Sequence, residues 1–198
     1  MKELTILMVV LLLIFIWTTY LRKNLYLTRV KSDTGHSYLV RKLPDKQEAA
    51  NKLGRITTKL QTLCDHCKGS ETGDKQKAVD RLIKKFKTDR IIERIPGSQY
   101  VAHSVNKGEE LSLCIRDKGT DELIDDENTV IFVAIHELAH IMSSSTGHTD
   151  EFWGNMKYLL EKGSKIGIYT PVDYSKNPTV FCGMTINSSP YKFRDTEE

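Results

Sequence analysis

Cysteine, proline and tryptophan are sparse in this chain, at 4, 5 and 2 of 198 residues. Four cysteines at this length do not make a disulfide-dense secreted scaffold. Five prolines and 12 glycines, with no internal repeat and no low-complexity tract, exclude a collagen-like chain. A bulk excess of one charge is also missing: 29 Lys and Arg against 26 Asp and Glu leave a net +3, too little to name a partner. Hydrophobic residues at 39% and charged residues at 28% are globular values, so neither a disordered chain nor a polytopic membrane protein is expected. The length allows one ordinary domain plus a short extra segment.

That extra segment is at the start. Residues 4–21 read LTILMVVLLLIFIWTTYL, without a charge, glycine or proline. As a helix this run spans roughly 27 Å, close to a bilayer's hydrocarbon core. Trp17 and Tyr20 sit where an aromatic belt would lie, and Arg22 and Lys23 follow at once. A cleaved signal peptide would need a small-x-small site that does not follow, and a core helix this long normally carries a polar residue. The run is therefore read as a transmembrane helix. Lys2 and the α-amine stand before it; Arg22, Lys23, Arg29 and Lys31 stand after it. The positive-inside bias then leaves the N-terminus outside and the C-terminal bulk on the cytoplasmic side (or its equivalent in a virion membrane), with mostly reduced cysteines.

Residues 22–44 read as a juxtamembrane linker and 45–198 as one α+β domain with a core at about 98–185. Asp45 can cap a helix running to Cys67, with Ala49, Leu53, Ile56, Leu60, Leu63 and Cys67 on one face. A second helix is expected from about Asp74 to Ile92, then a turn at Ile95-Pro96-Gly97-Ser98. QYVAHSV and LSLCIRD, joined by NKGEE, alternate as a hairpin. An acidic loop leads into a buried helix from about Asn128 to Ser143. Another helix opens at His148 or Thr149 and stops at Gly163, and the remaining tail is irregular with short extended pieces.

The chemistry is concentrated in His136-Glu137-Leu138-Ala139-His140. On a helix, positions i and i+4 share a face, so both imidazoles can reach one zinc ion. Glu137 can lie beside the metal and contact a bound water, which is the arrangement for metal-assisted hydrolysis. A hydrolytic zinc needs a third protein ligand, and His148, Asp150, Glu151 and Glu161 are the downstream candidates. Gly147 permits a bend that sets His148 at the mouth of the next helix.

HELAH, a short loop and then Gly147-His148-Thr149-Asp150-Glu151-Phe152-Trp153 resemble the WLM and SprT (Spartan)-type zinc metallopeptidases, over roughly residues 98–160. The resemblance implies a minimal zincin-like fold: a small antiparallel sheet, an active-site helix, and a second helix presenting the third ligand. It implies His136, His140 and His148 as Zn2+ ligands and Glu137 as general base. The chain departs from the family in its anchor and in lacking ubiquitin- or SUMO-binding motifs. The anchored, compact form is similar to small metallopeptidase-like proteins of large DNA viruses.

Other residues have candidate roles in that frame. Leu111–Arg116 could hold an extended substrate as an edge strand. Tyr174 is a candidate transition-state stabiliser, with Tyr169 and His103 behind it, and Met184 could floor the metal. Cys64 and Cys67 form a lone CxxC, while Cys114 and Cys182 stand as isolated single cysteines. Seven basic residues between Lys75 and Arg90 fit a solvated helix face. Together these signals describe a membrane-anchored zinc endopeptidase acting on protein or peptide substrates near a membrane, with nucleic acid not expected as a partner. The alternatives are an idle zincin-fold structural or interaction protein of a membrane and a DNA-dependent protease of the crosslink-repair kind.

Overall fold

The computed structural model describes residues 2–97, 102–105 and 110–192. Helix α1 (Lys2–Tyr26) is mostly apolar, and its large apolar side chains from Leu4 to Phe15, with Trp17, Tyr20, Leu21, Leu25 and Tyr26, are exposed. It is long and apolar enough to cross a membrane. It passes without a break into strand β1 (Leu27–Lys31), which pairs antiparallel with β2 (Ser37–Arg41).

This hairpin corrects the expectation of a linker over 22–44. Its strands belong to a five-stranded sheet of order β1-β2-β3-β5-β4, where β3 is Ile91–Glu93, β4 Ala102–Val105 and β5 Glu110–Leu113. β3 runs parallel to both β2 and β5, and β4 and β5 are antiparallel. The sheet is therefore mixed rather than simply antiparallel. The expected turn at Ile95-Pro96-Gly97-Ser98 is seen at Pro96-Gly97, with Gly97 at φ +75°; Ser98, the 106–109 loop and the side chain of His103 lie outside the described residues. β5 is an interior strand, with Leu111, Ser112 and Leu113 all buried. Among the described residues, the sheet edge beside it belongs to β4, not to Leu111–Arg116.

Helix α2 (Lys46–Cys67) lies on the sheet. Its buried stripe of Ala49, Ala50, Leu53, Ile56, Leu60, Leu63, Cys64 and Cys67 follows the spacing of three and four that its sequence carries. Each fully buried Leu or Ile contributes about 1.5–3 kcal/mol. Gly54 lets α2 approach the β1–β2 turn, where an added Cβ would lie 2.8 Å from Thr34 Oγ1 and 2.9 Å from Ser32 Oγ.

Helix α3 (Gly73–Lys85) is shorter than the sequence suggests. Phe86 leaves helical geometry, a 3-10 turn covers Thr88–Arg90, and the β-branched pair Ile91-Ile92 enters β3. Buried polar groups fasten the sheet to α2. The Arg116 guanidinium donates to Glu93 Oε1 at 2.7 Å, to both Asp45 oxygens at 2.5 and 2.8 Å, and to the Asp121 carbonyl at 2.9 Å. The Arg41 backbone N–H donates to the other Glu93 oxygen at 2.7 Å.

Helices α4 (Glu127–Met142) and α5 (Asp150–Lys165) complete the core, and a small hairpin of β6 (Thr179–Phe181) and β7 (Met184–Ile186) follows. α5 runs past Gly163, which is buried beside Ile135, Leu63 and Tyr169, and ends before Gly167 at φ +72°. Cys114 and Cys182 form a disulfide, against the expectation of isolated reduced thiols. Cys64 and Cys67 are free and buried.

Candidate metal centre

Helix α4 is apolar on nearly every side because it is packed on nearly every side. Val130 to Ile135, Leu138, Ala139, Ile141 and Met142 are all buried. Its start is fixed by Asp126, whose side chain accepts the Thr129 N–H at 3.1 Å. Carboxylates here stabilise the positive helix end, and the acidic loop is used in this way and in ion pairs: Glu127 with Lys59 and Asp121 with Arg41.

His136 and His140 lie one turn apart at the other end of α4, both half-buried. The chain turns through Gly147 at φ +83°, a left-handed conformation that favours glycine. Thr149 caps α5 by accepting the Phe152 N–H at 3.4 Å. These two features deliver His148 to the other imidazoles. All three pairs of ring centroids are 4.9 Å apart, and His136 Nε2 lies 3.0 Å from His148 Nε2. One ligand atom from each residue falls within 4.8 Å of the others. Burial, helped by repulsion from the other two imidazoles, lowers the His136 pKa to about 3. Its lone pair is therefore available at neutral pH, as a metal ligand requires. This group can hold one metal ion.

Glu137 follows His136 on α4 and is buried. The remaining third-ligand candidates are employed elsewhere or stand outside the cluster. Glu151 accepts hydrogen bonds from Ser144 and Ser145, and Glu161 pairs with Lys157 at 3.7 Å. Asp150 is not a member of the triad.

The floor of the centre is Phe152. Fully buried, it sets its ring centroid 4.8, 4.3 and 4.6 Å from those of His136, His140 and His148. The sequence signal for it was an aromatic four residues after His148, one helical turn away. Met184 does not fill this place: it is 47% exposed on β7. Tyr174 is also corrected. Its hydroxyl lies 3.4 Å from Thr129 Oγ1, and its ring packs on Phe132 at 4.7 Å. Thr129 is two turns before His136, about 10 Å along the axis. Tyr174, 1% exposed, is thus a packing residue of the helix start, and Tyr169, 2% exposed, packs on the same Phe132. Burial raises the pKa of both phenols.

The WLM domain matches residues 75–196, beyond the 98–160 stretch that carries the sequence resemblance. The chain belongs to the WLM domain family. It is 34% identical over 166 residues to the uncharacterised protein R325 of Acanthamoeba polyphaga mimivirus, covering 82% of this chain and 84% of that protein. A shorter stretch of 67 residues is 40% identical to the uncharacterised protein 136R of Invertebrate iridescent virus 6, covering 33% of this chain and 37% of that one. Among solved structures, Wss1 from Saccharomyces cerevisiae superposes with a TM-score of 0.50 at 18% identity, covering 65% of this chain and 87% of that one. That likeness is one of fold. Within this WLM domain the three imidazoles sit on α4 and at the mouth of α5, both inside the matched residues.

Proposed function

We propose that this chain is a membrane-anchored, zinc-dependent endopeptidase of minimal zincin type, acting on proteins near one membrane face. The observation that carries the reading is the convergence of His136, His140 and His148 at equal 4.9 Å ring separations. Three nitrogens around a tetrahedral zinc lie about 3.3 Å apart, so the 3.0 Å approach of His136 and His148 fits that ion. Three imidazole ligands also leave the fourth position of a tetrahedral ion open, as a hydrolytic site requires.

Zinc bound there supplies Lewis acidity, which polarises a carbonyl and brings the pKa of a water to about 7. The chain's own residues do the rest. With zinc held by His136, His140 and His148, the Glu137 carboxylate would be the base that takes a proton from the attacking water and would pass it to the leaving amine. β4, the edge strand among the described residues, is where an extended peptide can lie by β-augmentation. Helix α1 supplies the anchor, and its end is tied to the domain: Lys23 pairs with Glu110 at 2.5 Å, and Lys42 donates to the Asn24 carbonyl at 2.6 Å. With α1 passing straight into β1, the domain stands close against the membrane face. The basic flank after α1 supports a cytoplasmic domain.

Glu137→Gln tests the reading. The full chain in detergent is expected to hold about one zinc per chain in both forms. The variant is expected to lose at least about 100-fold in cleavage of an unfolded protein substrate, the usual contribution of a general base. Equal cleavage by the two forms, or a folded wild-type chain that takes up no zinc, refutes it.

A further inference from the structure

Between His140, the last ligand of α4, and His148 stand only seven residues, Ile141 to Gly147, and most of them are serine, threonine or glycine. Such a segment has little apolar surface with which to hold a shape. It is instead bound by polar groups from two other helices. One Glu151 oxygen accepts the Ser144 N–H at 2.8 Å and the Ser144 hydroxyl at 3.0 Å. The other accepts the Ser145 N–H at 3.0 Å and the Ser145 hydroxyl at 2.7 Å. Both lone-pair sides of one carboxylate are thus spent on two consecutive residues of the loop. Ser145 Oγ also meets Thr149 Oγ1 at 2.7 Å, beside His148.

Arg81 of α3 closes the arrangement from the far side. Its guanidinium donates to the Met142 carbonyl at the end of α4 and lies 3.6 Å from Glu151. A second line runs parallel to it. Lys75 of α3 donates to Asn155 at 2.9 Å, Asn155 donates to Ser143 Oγ at 3.0 Å, and Ser143 Oγ donates to the Ala139 carbonyl at 2.7 Å, next to His140. Ser143 and Asn155 are buried. Two residues of the basic stretch on α3 are therefore inward-facing fasteners and not part of a solvated face.

We propose that Glu151, held by Arg81, is the positioning residue for the third metal ligand: it fixes the 143–149 loop so that His148 is already set beside His136 and His140 before metal arrives. The proposal rests on the zinc reading above and deepens it. Without the latch, the two α4 histidines keep their helical spacing, but His148 has to be ordered by the metal itself. That ordering cost appears as weaker zinc binding.

The test measures zinc affinity of the full chain in detergent by competition with a chromogenic chelator, together with the visible spectrum of the Co2+ form. Glu151→Gln removes one acceptor and faces an NH2 towards a loop donor. It is expected to weaken zinc binding at least about 10-fold, the low end for partners that orient metal ligands. The tetrahedral Co2+ bands are expected to weaken in the variant. Arg81→Met is expected to act in the same direction and to add little to Glu151→Gln, since the two work through one loop. Glu161→Gln on the same helix, far from the loop, serves as control and is expected to leave affinity unchanged. Hydrogen exchange of the Ser144 and Ser145 amides in metal-free wild type is expected to be slow, a readout that needs no variant to fold. Unchanged affinity in both latch variants, or fast exchange at both amides, overturns the proposal. A wild-type chain that binds no zinc at all refutes the zinc reading, and this proposal falls with it.

Discussion

At the scale of single residues, Phe152 carries an argument that the histidines alone do not. Its ring touches all three imidazoles and has no exposure. Truncation leaves a cavity directly under the centre. Phe152→Ala is expected to lower stability by about 3–5 kcal/mol, as buried aromatic truncations do, and to weaken zinc binding because the imidazoles lose their common floor. Denaturant unfolding of the metal-free chain measures the first effect and chelator competition the second. A loss below about 1 kcal/mol would show that Phe152 is not packed as described. His136, Glu137 and His140 were legible in the sequence because their relation is local: a helix fixes i and i+4 whatever the rest of the chain does. His148 was legible because a glycine bend and a capping threonine flank it. Tyr174 was misplaced for the opposite reason. Its position depends on the path of the tail that follows α5, and no local spacing encodes that path.

At the scale of elements, the Arg116 cluster joins pieces that the sequence keeps far apart: Asp45 before α2, Arg41 on β2, Glu93 on β3 and the end of β5. Burial pushes the Glu93 carboxyl up, while the Arg41 N–H and the Arg116 guanidinium pull it down. The side chains of Arg116 and Glu93 are 4% and 2% exposed, so each neutralises a charge that water cannot reach. Arg116→Met is expected to cost about 3–5 kcal/mol by leaving Glu93 uncompensated. Adding Glu93→Gln is expected to restore part of that loss, because the stranded charge is then gone. Urea unfolding of the two variants decides it, and a double variant no more stable than the single one would refute the pairing. The same cluster shows why residues 22–44 read as a linker. Strand SYLVR alternates buried Tyr38 and Val40 with partly exposed Ser37, Leu39 and Arg41, while LTRVK buries only Leu27 and exposes Arg29 and Lys31. Five residues of such alternation look like a solvated connector until a partner helix is present. α2 is that partner, closing on the hairpin through Gly54. The end of α3 was misread on the same ground: Ile91-Ile92 continues a helical stripe on paper and joins a sheet in space.

At the scale of the whole molecule, the Cys114–Cys182 bond is the long-range covalent constraint, joining residues at a sequence separation of 68. The loop it closes holds α4, α5 and every residue of the candidate centre. Closing a loop of this length stabilises by about 4 kcal/mol in the chain-entropy treatment, less where the reduced chain keeps structure. Cys182→Ser is therefore expected to lower stability by about 2–4 kcal/mol and to loosen the β6–β7 hairpin from β5. The bond also bears on orientation. The basic flank after α1 favours a cytoplasmic domain, whereas disulfides persist in oxidising compartments. Burial reconciles the two: both cysteines are under 5% exposed, so reductants reach the sulfurs only after the tail opens. Cells quenched with an alkylating agent are expected to yield two free thiols per chain in denaturant, Cys64 and Cys67, and four after reduction. Four free thiols at the outset would show that the tail is held by packing alone and that the covalent closure is absent in the cell.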